Sequence, residues 1–81
     1  MKVEVRLFAR AKDIAGSDRI RVELPENATV GTLRDSLAEQ IPALAPLLAK
    51  SVLAVDLNSA GDDHVLNSAS DVALLPPVSG G

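Results

Sequence analysis

The sequence predicts a single α+β domain, a mixed sheet of about four to five strands with one main helix packed on one face. Three observations carry this. Two runs of alternating apolar and polar residues stand near the start of the chain, a stripe of helical period follows, and short apolar runs come after it. At 81 residues the chain has room for one domain. A domain of this size buries only roughly 60–65% of its unfolded surface. It has no cysteine, so neither a disulfide nor a thiolate metal site can reinforce it. Phe8 is the only aromatic, so Val, Leu, Ile and Ala must fill the core.

Over residues 2–9, Val3, Val5, Leu7 and Ala9 share one face and Lys2, Glu4, Arg6 and Phe8 the other, the pattern of a half-buried strand. Residues 10–15 suit a short helical turn, which Gly16 closes, and Gly16-Ser17-Asp18 is a turn cluster. Residues 19–24 alternate again, with Ile20, Val22 and Leu24 inward, so the two runs read as an antiparallel pair. Pro25-Glu26-Asn27-Ala28 breaks the pattern. Thr29 is placed to cap a helix, since its hydroxyl can satisfy an orphan amide of the first turn. Val30, Leu33, Leu37 and Ile41 recur at helical spacing, with Arg34, Asp35, Glu39 and Gln40 off that stripe. Pro42 ends this main helix, and residues 43–50 read as a connector with one helical turn. Residues 51–55 form a continuous apolar run, read as a strand buried on both faces. Residues 56–63 are polar and read as turn and loop, Val65-Leu66 as a very short strand, and residues 67–71 as a turn. Residues 72–75 are the last strand, stopped by Pro76-Pro77. The order strand, strand, helix, strand, short strand, strand fits the β-grasp, or ubiquitin-like, fold. That topology, not the periodicity, supplies the expectation that the first and last strands are central and parallel.

Eight basic against eleven acidic residues give a net charge of −3. No Lys/Arg run or accompanying aromatic stripe exists, which argues against a nucleic-acid surface. A basic protein partner suits the charge better. No apolar run approaches the ~20 residues that span a bilayer, and residues 1–6 lack the apolar stretch of a signal peptide. With no cysteine, the expected location is cytoplasmic. His64 follows Asp62-Asp63, but three adjacent loop residues do not converge easily on a metal, so a solvated histidine and no metal are expected. No phosphate-binding glycine loop is present, so any ATP must be held by a partner. The serines come with a single histidine and no nucleophile elbow, and the chain is not expected to be an enzyme on its own.

Residues 74–81 read Leu-Leu-Pro-Pro-Val-Ser-Gly-Gly. The prolines favour an extended, stiff backbone, and Gly80 and Gly81 have no side chains to obstruct a narrow channel. The sequence thus divides into a domain over residues 1–75 and an extended tail over residues 76–81. A carboxylate on Gly81 is a poor electrophile. ATP can convert it into an acyl-adenylate, and a sulfur donor can displace AMP and leave a thiocarboxylate. No cysteine is needed, because the sulfur rides on the main chain. By itself Gly-Gly also fits a frayed end.

Residues 72–81, Val-Ala-Leu-Leu-Pro-Pro-Val-Ser-Gly-Gly, following a β-grasp pattern, resemble the molybdopterin synthase small-subunit family, sulfur carriers of the MoaD/ThiS type. Leu7-Phe8-Ala9-Arg10 with Ile14-Ala15-Gly16 look like the family's first strand and turn, and Thr29-Val30-Gly31-Thr32-Leu33 like its helix start. The chain departs at Ser70-Asp71, where the family has a Gly-Asp-Glu-like turn. It departs also at Leu74-Leu75, in place of an aromatic pair, and at Asp56, where Asn is frequent.

The resemblance implies that an E1-like adenylyltransferase adenylates Gly81 with ATP and that a sulfur donor protein supplies the sulfur. It implies next that Pro77, Val78, Ser79, Gly80 and Gly81 insert into the active site of the molybdopterin synthase large subunit, in a heterotetramer. Sulfur there passes to a cyclic pyranopterin precursor, and no cofactor is bound by the carrier itself. Phe8, on the polar face of the first strand, is either a satellite core residue or a partner anchor, and its match to a partner-contacting family position favours the anchor. Leu75 either joins the same apolar patch or packs within the sheet. Arg10 and Lys12 are candidate contacts for acidic partner residues, with ordinary surface charge as the simpler account. Rival readings are a carrier for thiazole, cysteine or tRNA thiolation, a modifier joined to lysines, and a plain interaction module.

Overall fold

The alternation of residues 2–7 is realised as strand β1 (Lys2–Leu7), whose Val3, Val5 and Leu7 are at most 1% exposed. The computed structural model describes residues 1–75; residues 76–81, and with them every expectation placed on the tail, lie outside the described residues. After β1 come helix α1 (Ala9–Ala15), strand β2 (Arg19–Glu23), helix α2 (Val30–Gln40), a 3-10 turn (Pro42–Leu44) and helix α3 (Ala45–Leu48). Strands β3 (Val52–Val55), β4 (Asn58–Ser59) and β5 (Val72–Leu75) follow.

The sheet order is β2-β1-β5-β3-β4. β1 runs antiparallel to β2, with Val3 opposite Val22, and parallel to β5, with Leu7 opposite Leu74. β5 in turn runs antiparallel to β3, with Leu53 opposite Leu74. The first and last strands are therefore neighbours in the middle of a mixed sheet, which is the β-grasp, ubiquitin-like arrangement. Val30, Leu33 and Leu37 of α2, all fully buried, join Val5, Leu53, Val72 and Leu74 in one aliphatic core.

Both ends of α2 follow local chemistry. Thr29 is extended, and its Oγ1 accepts from the Thr32 amide at 3.3 Å. Thr29→Ala is expected to cost about 1 kcal/mol, read as a lowered urea midpoint with unchanged slope. At the other end Ile41 leaves the helix ahead of Pro42. Gly16 closes α1 in the left-handed region, φ 72°, with its amide donating to the Lys12 carbonyl.

Several expectations are corrected. Ala9 does not continue the first strand: with φ 51° it turns the chain into α1, and it is exposed while Ala11 is buried. The connector over residues 43–50 holds two turns, each with a proline in its first turn, where a missing amide costs nothing. The third strand is not buried on both faces throughout, since Val52 is 43% exposed. The short fourth strand is Asn58–Ser59, inside the segment read as loop. Val65 makes only an isolated bridge to Thr29. Its loop serves α2 instead: the His64 and Asp62 carbonyls accept from the Val30 and Gly31 amides, both at 2.9 Å, satisfying orphan donors of the first turn. A Cβ on Gly31 would meet Asp62 at 3.3 Å, so the close approach explains a glycine there.

Candidate functional site

The helices cover one face of the sheet. On the other face the outward side chains of the central strands line a groove of about 270 Å³. Its floor is small: Ala54 of β3 and Ala73 of β5 lie directly opposite each other, and Arg6 of β1 lies opposite Ala73 on the other side. Two alanines side by side leave a depression on which larger neighbours stand. Phe8, 41% exposed, and Leu75, 39% exposed, line the groove together. Phe8 is the extended residue just before α1, and Leu75 is the last residue of β5. Arg10 is exposed on α1 and does not line this groove. Lys12 lines a neighbouring depression with Arg6, Phe8 and Arg19.

Sequence reasoning missed the opposite end of the groove. Asp56 and Leu57 are the two residues between β3 and β4, with Val55 opposite Asn58, and both have positive φ, 51° and 72°. Positive φ at both positions is the type I′ hairpin pattern, for which Asn-Gly is the strong signal, and Asp-Leu lacks it. Asp56 tolerates the conformation and uses it. Its amide donates to the Asp71 carbonyl at 2.8 Å, and its Oδ1 accepts from the Asp71 amide at 3.0 Å. Leu57 gains no such compensation. It is 85% exposed, at the groove's rim, in a backbone region that costs a non-glycine residue about 1–2 kcal/mol. An apolar run can be found by inspection, but a lone Leu in a polar stretch carries no periodic signal.

Charge frames the groove on one side. Arg6 Nη2 pairs with Asp71 Oδ2 at 2.8 Å, and Glu4 pairs with Arg19 and Arg21 at 3.3 and 3.4 Å. These pairs are substantially exposed, so each contributes at most about 1 kcal/mol to stability. The Arg6–Asp71 pair lines the groove itself, so an apolar floor and rim there meet one ion pair. His64 lies in the loop that caps α2, and among the described residues no group of His, Cys, Asp or Glu is arranged to hold a metal ion. No helix of the described residues is long and apolar enough to cross a membrane.

Comparison with known proteins places this architecture. The ThiS family model matches residues 5–81. The molybdopterin synthase sulfur carrier subunit of Dictyostelium discoideum is 36% identical, over 96% of this chain and 94% of that protein. Its counterpart of the same name in Escherichia coli is 35% identical, over 98% of this chain and 99% of that protein. The crystal structure of small archaeal modifier protein 1 from Haloferax volcanii superposes with a TM-score of 0.85 at 29% identity, over 95% of this chain and 98% of that one. The chain belongs to the ThiS family, a ubiquitin-like family in which the two curated relatives are named as molybdopterin synthase sulfur carrier subunits.

Proposed function

We propose that the chain is the sulfur carrier subunit of a molybdopterin synthase, working through the Gly81 carboxylate. The observation that carries this reading is positional: the apolar groove is bounded by Leu75, the residue from which the Pro-Pro-Val-Ser-Gly-Gly segment departs. Six residues reach at most about 20 Å. A protein whose active site receives Gly81 must therefore sit close against this end of the sheet, where Phe8 and Leu75 are exposed.

In the proposed cycle an E1-like adenylyltransferase supplies the ATP site. A carboxylate oxygen of Gly81 attacks the α-phosphorus, and pyrophosphate leaves. Sulfide released by a donor protein adds to the activated carbonyl carbon and expels AMP, leaving the thiocarboxylate. The tail, residues 77–81, then enters the active site of the large subunit, which holds the acid–base groups. The thiocarboxylate sulfur bonds to a carbon of the cyclic pyranopterin precursor, and water cleaves the acyl–sulfur bond so formed, leaving the sulfur on the precursor and restoring the Gly81 carboxylate. The carrier binds no cofactor of its own, acts in the cytoplasm, and assembles as a heterotetramer of two carriers and two large subunits. Light scattering giving only one copy of each chain would contradict that assembly.

The direct test is the intact mass after incubation with the activating enzyme, ATP and a sulfide source. The expected shift is the exchange of one oxygen for sulfur. An unchanged mass, with an activating enzyme proven on another carrier, would reject the reading. The groove is tested separately: Phe8→Ala and Leu75→Ala are each expected to weaken binding of the large subunit by about tenfold or more, as truncation of a central apolar contact does. Titration calorimetry reads this directly, and unaltered affinity in both variants would remove the groove from the docking surface. The likeness to an archaeal modifier protein keeps one second reading, conjugation of Gly81 to lysine side chains. Covalent adducts recovered from cells in place of a thiocarboxylate would favour it.

A further inference from the structure

We infer that Leu57 is a specificity anchor that seats in an apolar socket of the large subunit and fixes the angle at which the carrier docks. The inference rests on the docking reading above and adds a residue and a role to it. The strand directions give the geometry. β1 and β5 are parallel, so Phe8 follows β1 beside the Leu74–Leu75 end of β5. β3 runs the other way, so the β3–β4 turn stands at the Asp71–Val72 end. Leu57 and Leu75 therefore occupy opposite ends of the same groove, separated by the length of a four-residue strand, roughly 13 Å.

A partner held only beside Leu75 could pivot about that contact, and the tail would swing with it. A second apolar contact at the far end removes the pivot. Three features of Leu57 fit that use and serve nothing in the isolated domain. Its side chain is 85% exposed, so the core does not need it. Its φ of 72° would suit glycine better, so the turn does not need it. The register of the hairpin is held by the backbone pairing of Val55 with Asn58 and by Asp56 on Asp71, so register does not need it. A strained, exposed, branched apolar residue on the rim of the groove is a contact whose backbone is set in place before the partner arrives.

The test uses the full chain and the purified large subunit. Leu57→Gly is expected to raise the thermal midpoint of the free carrier and to weaken its binding to the large subunit at least tenfold. Leu57→Met, which keeps a long apolar side chain, is expected to stay within threefold of the parent. With bound carrier saturating, Leu57→Gly is also expected to slow sulfur transfer, since the tail is less well aimed. Parent-like affinity in Leu57→Gly, with Phe8→Ala weakened, overturns the anchor and leaves the docking reading standing. Parent-like affinity in Leu57→Gly, Phe8→Ala and Leu75→Ala together overturns both.

Discussion

Deleting Gly81 is expected to abolish sulfur transfer completely while leaving the thermal midpoint where it was. The two halves of this expectation rest on different physics. The described core runs from Val3 to Leu74 and is built from strands, helices and loops that end before Pro76. Loss of Gly81 removes none of that buried aliphatic surface, so no transfer free energy is lost. For the chemistry, the deletion moves the carboxylate onto Gly80, back along the chain by one residue, about 3.5 Å. Misplacement of a reacting group by about 1 Å already costs roughly a hundredfold in rate. A displacement several times larger leaves the carboxylate out of reach of the activating site. Two measurements decide it: intact mass after activation, and unfolding by circular dichroism. A thiocarboxylate formed on the shortened chain would remove Gly81 from the mechanism. A lowered midpoint would give the residue a structural part.

The largest effect on stability is expected from Leu74→Ala. Leu74 is fully buried at the centre of the sheet, flanked by Leu7 on β1 and Leu53 on β3. Truncation there removes a buried isobutyl group and opens a cavity between three strands that cannot slide together without breaking their ladders. Such changes cost about 2–5 kcal/mol, against a total stability of about 4–12 kcal/mol for a domain of this length. The urea midpoint should fall by about a sixth or more, and the thermal midpoint by at least about 8 °C. A loss under about 1 kcal/mol would mean that the sheet centre repacks around the cavity.

Much of the domain was legible in the residues. Alternation placed Val3, Val5 and Leu7 inside because a strand's side chains alternate with period two whatever its partners are. Val30, Leu33 and Leu37 marked the buried stripe of α2 for the same kind of local reason, and Thr29 and Pro42 marked its ends. Phe8 and Leu75 stood out as apolar residues on faces that alternation turns outward. Ala9 was misplaced because a left-handed residue interrupts a period without any sign in its side chain. β4 was missed because two residues are too few to show a period and Asp-Leu is not a turn signature.

Sequence alone thus determined the buried faces of β1 and α2 and where the main helix lies. These are properties of single residues and of local spacing. Tertiary structure alone decided that Phe8, Leu57 and Leu75 border one groove, because that depends on the order β1-β5-β3, on the parallel register of β1 with β5, and on the positive φ values of a two-residue turn. Period two says only which face a side chain takes. Which neighbour it meets there is set by pairing between strands far apart in the chain, and no local pattern encodes that pairing.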